Sequence, residues 1–250
     1  VTPPPGYTAL AGPGVRALVR ADLASALAPW LLATPFVPPP GSERRAGGRG
    51  AVWRLSLPDG SRGVLRSYRR GGFVARVSRE TYLGPRPRPF RELIVTTEAR
   101  RRGVAAPEVL AARVEGRLAY RGVIVTAEIA GAVTLLEALR QAADGARRRA
   151  LASGAGRVVA AMHRAGVSHA DLNLTNLVAP ARGVVEVTVL DFDRARLASG
   201  PLSMRARRRN LRRLARSLRK LDPGGRLAAA EDVAAFHAAY AAGRSTPCAS

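Results

Sequence analysis

His169-Ala-Asp-Leu-Asn-Leu-Thr-Asn176, followed after a gap by Asp191-Phe-Asp193, is the stretch on which the fold turns. Upstream, Arg157-Val-Val-Ala-Ala-Met-His163 has helical apolar spacing and Gly166 stands where that helix would stop. Downstream, Leu177-Val178 and Val184 to Leu190 read as a β-ribbon joined by a turn at Pro180 to Gly183, which sets Asp191 at a strand end. Turn-favouring chemistry alone accounts for an isolated Asp or Asn. It does not account for a helix, a polar loop and a ribbon in this order, with an acid or amide at each junction.

A loop of pattern H-x-D-x-x-x-x-N followed by a D-F-x strand end is the arrangement by which kinases place an acceptor-activating carboxylate and two metal-binding oxygens. Those roles fall here to Asp171, which faces the acceptor hydroxyl, and to Asn176 and Asp191, which hold Mg²⁺ or Mn²⁺ beside ATP. His169 is expected to brace the loop. Asp193 replaces the usual glycine and is read either as a further metal or acceptor group or as a turn cap.

Moving toward the N-terminus, Ala46-Gly-Gly-Arg-Gly-Ala-Val-Trp-Arg-Leu-Ser-Leu57 joins a glycine-rich turn to an alternating strand. Gly48 and Gly50 would let backbone N–H groups approach phosphate oxygens. Trp53 stands where a third glycine is usual, so a plain hairpin turn fits as well. Gly63-Val-Leu-Arg-Ser-Tyr68 follows as a strand with Val64, Arg66 and Tyr68 on one face. Arg66 occupies the place of a phosphate-binding lysine, and an arginine offers phosphate oxygens a planar fork of donors rather than a point charge.

Pro89 to Gly103 reads as a helix with a proline start, arginines in its last turn and a glycine stop. Glu92 near its start is the expected partner of Arg66, with Glu98 as the competing choice. Val109 to Val114 and Arg121 to Ala127 complete a small antiparallel sheet. Glu128-Ile-Ala-Gly131 then reads as a hinge whose backbone groups could meet an adenine edge.

Beyond Asp193 the chain leaves no room for a peptide-binding segment, because Ser203 to Leu221 already reads as a helix. Leu211, Leu214, Leu218 and Leu221 form its apolar stripe, and arginines crowd the rest. At the other end, residues 1–44 lie between two proline triplets. The spacing of Leu18, Val19, Leu23 and Leu27 predicts one amphipathic helix up to about Ala28, with Pro29 ending or bending it. Packing is the role expected of it, since Arg16, Arg20 and Asp22 make a thin polar face for a membrane-surface helix. The expected organisation is a 1–44 extension, a 45–130 lobe of small antiparallel sheet with one main helix, and a mainly helical lobe over 131–245: an α+β, protein-kinase-like, two-lobed fold.

The 250 residues carry 41 Lys and Arg against 18 Asp and Glu, a net +23 that favours anionic partners. Lys220 is the one lysine, and the arginine, alanine, glycine and proline bias also suits a GC-rich genome. Charge by itself therefore separates nucleic acid, anionic lipid and phosphorylated substrate poorly. One cysteine, Cys248, excludes an internal disulfide and a cysteine-based metal cluster. No apolar run of about 18 residues and no signal-peptide pattern occurs, which gives the expectation of a cytosolic or membrane-face protein.

Five strings together resemble the lipopolysaccharide kinase family, most closely its branch acting on 3-deoxy-D-manno-octulosonic acid (Kdo). They are Leu65-Arg-Ser-Tyr-Arg-Arg-Gly-Gly72, Phe90-Arg-Glu92, His163 to Asn173, Leu190-Asp-Phe-Asp-Arg194 and Asn210-Leu-Arg-Arg-Leu-Ala-Arg-Ser-Leu-Arg-Lys220. The resemblance spans residues 45–221. It implies ATP and a divalent metal, phosphorylation of a Kdo hydroxyl in the lipopolysaccharide inner-core precursor Kdo-lipid A, and action at the cytoplasmic face of the inner membrane. An anionic membrane surface would be met through arginine-rich faces, and no specific nucleic acid is expected. The rival acceptors are a core heptose, an antibiotic of the aminoglycoside type, which +23 disfavours, and a protein hydroxyl. A different class is an inactive kinase-like domain that binds anionic lipid or nucleic acid, for which Asp171, Asn176 and Asp191 would have no use.

Overall fold

A computed structural model describes residues 1–45, 52–68 and 81–245. Gly48, Gly50 and the loop expected at 69–72 lie outside the described residues. The chain divides into two compact units, Val1–Thr97 with Glu108–Glu128, and Glu98–Pro107 with Ile129–Ser250.

The first unit is built on an antiparallel sheet. Its described strands are β1 (Tyr7–Gly12), β2 (Val15–Arg20), β3 (Glu43–Arg45), β4 (Val52–Ser56), β5 (Arg62–Ser67), β6 (Tyr82–Leu83), β7 (Val109–Gly116) and β8 (Ala119–Ala127), with α1 (Ala24–Leu32) and, as far as Thr97, α2 (Arg88–Arg101). The spatial order is β1-β2-β7-β8-β5-β4-β3, and β6 pairs with β8. The two helices are associated with separate apolar clusters. Leu23, Leu27 and Leu31 pack with Val19, Leu55, Leu65 and Val125. Phe90 and Leu93 of α2 pack with Leu18, Ala112, Tyr120 and Ile124. Where β7 meets β8 the register slips between Val109 and Ala111, so Leu110 and Ala111 belong to the same cluster.

The helix expected up to about Ala28 is corrected. Val15–Arg20 is strand β2, paired with β1 through a Pro13-Gly14 turn and with β7 on its other side. Gly14 sits at φ +70°, which a residue without a Cβ adopts at little cost. A strand buried on both faces has no reason to alternate. Ala17, Leu18 and Val19 are all buried, and that run is what imitates helical spacing. A 3-10 turn, Ala21–Leu23, leads into α1, which holds Pro29 within it. Residues 1–44 therefore belong to the sheet-bearing unit.

One buried cation fixes this region. Arg113 on β7, 2% exposed, donates from Nε to the Leu31 carbonyl at 2.8 Å and from Nη2 to the Ala33 carbonyl at 2.8 Å. It also meets Glu115 at 2.9 Å and lies over the Phe36 ring at 4.4 Å. The carbonyls at the end of α1, which a helix cannot satisfy internally, thus find a cationic donor.

The second unit contains β9 (Ala132–Thr134), α3 (Leu135–Arg140), α4 (Gly145–Arg164), β10 (Val167–Ser168), β11 (Leu177–Pro180), β12 (Thr188–Val189), β13 (Arg196–Leu197), α5 (Met204–Leu221) and α6 (Ala230–Ser245). Thr134 and Glu137 form a reciprocal cap that starts α3, and Asp144 caps α4. α4 and α6 cross closely, since a Cβ at Gly156 would run into the Phe236 carbonyl oxygen. The expected ribbon is shorter than the sequence suggests: residues 184–187 are not strand, and β11 pairs instead with both β12 and β9. The segment 98–107 belongs here because Arg102 donates to the Ala165 carbonyl at 3.0 Å and Val189 N–H to the Ala105 carbonyl at 2.9 Å.

Candidate active site

The polar loop is set by what precedes it. α4 ends at Arg164, and Gly166 turns the chain at φ +75°, where a Cβ would run into the Gly200 carbonyl oxygen. β10 then pairs with β13, so the entry to His169 and the exit from Asp193 are tied by one short ladder. Leu190 N–H donates to the Asn176 carbonyl at 2.8 Å, which ties Asn176 to the residue before Asp191.

Within the loop apolar anchors alternate with functional groups. Leu172 and Leu174 are 1% and 5% exposed, while Asp171 is exposed. Asn173 shapes the turn: its side-chain oxygen accepts from the Thr175 N–H at 2.8 Å, the Thr175 hydroxyl at 2.7 Å and the Asn176 N–H at 3.0 Å. The Asn176 side-chain nitrogen donates to the Asp171 carbonyl at 2.8 Å, which fixes the amide and turns its oxygen the other way.

His169 is 1% exposed, and burial lowers its pKa below the ordinary histidine value. Its Nδ1 accepts the Asp171 N–H at 3.2 Å, so the ring proton is on Nε2 and goes to the Leu190 carbonyl at 2.9 Å. The Phe192 ring, 1% exposed, meets His169 edge-on at 5.7 Å. A neutral imidazole with both nitrogens engaged braces the loop and moves no proton. Asp191 adopts φ +61°, the left-handed region that Asp tolerates better than most residues. Its carboxylate also receives the Asp193 N–H at 3.4 Å.

A second layer underlies the loop, and sequence reasoning missed it. Asn210 of α5 is fully buried. Oriented to satisfy every partner, its amide donates to the His169 carbonyl at 3.0 Å and accepts from the His169 N–H at 3.3 Å and from His163 Nε2 at 3.2 Å. His163 Nδ1 meets the Tyr240 hydroxyl at 2.8 Å. Burial, with a smaller push from Arg207, lowers the His163 pKa to about 4. Ser217, seven residues on, accepts the Leu174 N–H at 3.3 Å. The available signal was an uncharged amide, four residues before Leu214, in a helix otherwise crowded with arginine.

In the first unit Arg66 Nη2 donates to Glu92 Oε1 at 2.6 Å, and the Tyr68 hydroxyl donates to Glu92 Oε2. Arg66 also lies over the Tyr68 ring at 5.3 Å. Tyr68 shares the face of Arg66 assigned from the alternation, but its bond to Glu92 was not anticipated. Glu98 is engaged elsewhere: hydrogen bonds from Arg101 and Arg102 lower its pKa to about 2. Glu128 gives its carboxylate to Arg54 at 2.5 Å and its N–H to the Arg62 carbonyl at 2.9 Å.

No group of three or more His, Cys, Asp or Glu that could hold a metal occurs among the described residues. The Asn176 amide oxygen and the Asp191 carboxylate are hard oxygen donors, and Mg²⁺ is commonly held through one or two such groups and substrate phosphates. The residues present fit that mode.

The profile of the lipopolysaccharide kinase (Kdo/WaaP) family matches residues 42–240. A 3-deoxy-D-manno-octulosonic acid kinase of Xanthomonas axonopodis pv. citri (strain 306) is 39% identical over 200 residues, covering 78% of this chain and 77% of that one. The protein of the same name in Xanthomonas campestris pv. campestris (strain B100) is 41% identical over 182 residues, 70% of this chain and 68% of that one. The protein so named in Stenotrophomonas maltophilia (strain R551-3) is 37% identical over 179 residues, with the same two coverages. Among solved structures, WaaP in complex with acyl carrier protein superposes with a TM-score of 0.53 at 23% identity, over 80% of this chain and 78% of that one. That likeness is one of fold, and the fold is protein-kinase-like.

Proposed function

The chain belongs to the lipopolysaccharide kinase (Kdo/WaaP) family, and from that premise we propose that it transfers the γ-phosphoryl group of ATP to a hydroxyl of Kdo in Kdo-lipid A. The observation that carries the mechanism is the loop itself: an exposed Asp171 on a backbone held by His169, with Asn176 and Asp191 brought together by the Leu190–Asn176 bond.

Asp171 orients the acceptor hydroxyl and takes its proton as the oxygen attacks the γ-phosphorus; the bond to the β-phosphate oxygen breaks and ADP leaves. Asn176 and Asp191 would hold Mg²⁺, and the ion would supply charge neutralisation at the phosphates. Arg66, fixed by Glu92, steadies the α- and β-phosphates. Little more is asked of the protein, because phosphoryl transfer depends on positioning and electrostatics.

A sugar rather than a peptide acceptor is supported by the short stretch between Asp193 and α5, residues 194–203, part of which is already used by β13. Among the described residues no helix is long and apolar enough to cross a membrane. The exposed arginines of α5 suit the anionic headgroups that surround a lipid-borne acceptor, and this reading places the enzyme on the cytoplasmic face of the inner membrane.

The test is mass spectrometry of Kdo-lipid A after incubation with the protein, ATP and Mg²⁺, with Asp171→Ala as control. The expected result is one phosphate mass added to the Kdo by wild type alone. ATP binding without transfer would discard Kdo as the acceptor and move the search to heptosylated cores and then to proteins.

A further inference from the structure

We infer that one strip of α5, formed by Arg209, Arg213, Arg216 and Lys220, binds the anionic groups, carboxylate or phosphate, of the acceptor. The inference rests on the acceptor class proposed above and adds to it the residues that recognise the charge.

The strip is defined by two grips on the polar loop. Asn210 holds the His169 backbone, and Ser217 accepts the Leu174 N–H at 3.3 Å. Residues three or four apart on a helix are neighbours on its surface. Arg213 follows Asn210 by three and precedes Ser217 by four, so it stands on the strip that faces the loop. The same spacing puts Arg209, Arg216 and Lys220 along its flank. The apolar residues Leu211, Leu214 and Leu218 turn toward α3, α4 and α6.

Arg209, Arg216 and Lys220 are exposed and Arg213 is half-buried, and α5 holds no acid. Among the described residues, none of the four forms an ion pair or a side-chain hydrogen bond. Arg209 and Arg213, and Arg216 and Lys220, are like charges at i and i+4, an arrangement that weakens a helix. A destabilising strip beside the loop that bears Asp171 is accounted for by an anionic ligand there. Arginine recognises carboxylate and phosphate alike through paired N–H donors, so the sugar-acid carboxylate and the glucosamine phosphates of the acceptor are the two sources of this charge.

The experiment uses the full chain and de-acylated Kdo-lipid A, which is water-soluble and removes any effect of a bilayer. Calorimetry compares wild type, Arg213→Gln/Arg216→Gln/Lys220→Gln, and a control that loses three charges elsewhere, Arg117→Gln/Arg121→Gln/Arg149→Gln. The expected result is binding at least tenfold weaker for the strip variant and within twofold of wild type for the control. In the transfer assay the strip variant should raise the acceptor KM at least tenfold while the ATP KM holds. Free Kdo and de-acylated lipid A without Kdo are separate arms: loss confined to the first assigns the strip to the carboxylate, and loss confined to the second assigns it to phosphate. Equal binding by the strip variant and wild type, equal loss in both variants, or no binding by wild type would overturn the inference. Strip-dependent binding without any transfer would keep it and overturn the Kdo reaction instead. Arg213→Lys, which keeps the charge, should retain most of the binding; if it loses as much as Arg213→Gln with unaltered circular dichroism, charge recognition is the wrong account.

Discussion

The Arg66 guanidinium and the Glu92 carboxylate meet at 2.6 Å, with the Glu92 side chain 4% exposed and that of Arg66 32% exposed. A carboxylate so buried needs its cation, and removing one partner of a buried pair costs about 3–5 kcal/mol. Arg66→Ala should therefore lower stability by about 3 kcal/mol in urea unfolding and raise the ATP KM at least tenfold. Arg66→Lys should regain part of both. Unchanged ATP affinity in Arg66→Ala would remove this arginine from the nucleotide site.

Asp191→Asn separates charge from backbone. Asn tolerates the left-handed φ of +61° as readily as Asp, so the turn survives while the carboxylate is lost. Transfer should fall by about a hundredfold, and the dependence of ATP binding on Mg²⁺ should flatten, with Tm unchanged within about 2 °C. A variant with normal Mg²⁺ dependence would assign the metal to other groups.

The polar loop and the pairing of Leu177 and Val178 with Thr188 and Val189 were legible because turn-forming and strand-forming residue types follow one another at fixed spacing, although residues 184–187 did not join the ribbon. Asp191 falls at a strand end, and Arg66 and Tyr68 share a face, as read from the sequence. The N-terminal strands were not legible for the opposite reason. Val15–Arg20 is buried on both faces, Ala17 and Val19 in the cluster with α1 and Leu18 in the cluster with α2, and burial on both faces erases the alternation that marks a strand. Asn210 was hidden because nothing local shows that an amide in an arginine-rich helix reaches the backbone of a residue 41 positions earlier.

Asn210 makes three hydrogen bonds with no solvent to replace them, to the His169 carbonyl and N–H and to His163. Asn210→Ala should destabilise the protein by about 2–4 kcal/mol, because each buried group left unmet carries a desolvation cost. Asn210→Asp accepts from both donors, but it sets a buried carboxylate against the His169 carbonyl oxygen with no arginine among its partners, so it should cost at least as much as Asn210→Ala. Urea unfolding ranks the three, and kcat should fall with stability as the loop loosens. A fully active Asn210→Ala would mean that the loop holds itself.

Acid should act through His163. Its pKa is lowered by burial from 6.5 to about 4 in the folded chain, so the unfolded chain takes the proton first as pH falls. The stability contributed by keeping it neutral is complete above pH 6.5 and is lost progressively down to about pH 4, by about 3 kcal/mol in all. His163→Gln should flatten the stability profile across that window. Glu98, lowered from 4.5 to about 2 by hydrogen bonds from Arg101 and Arg102, contributes stability that is complete above pH 4.5 and is lost only below it, as its carboxylate protonates.

Arg113, with its guanidinium on the Leu31 and Ala33 carbonyls, bears on where the protein can be cut. The family profile begins at residue 42, inviting the view that what precedes it is dispensable. Trimming there would strip β2 from β7, bare a long row of backbone donors and acceptors, and strand a buried cation whose acceptors have gone. A row of that kind recruits other chains. The shortened protein should precipitate rather than merely lose activity, so a homology-guided excision would be mistaken for evidence that the enzyme is intrinsically insoluble.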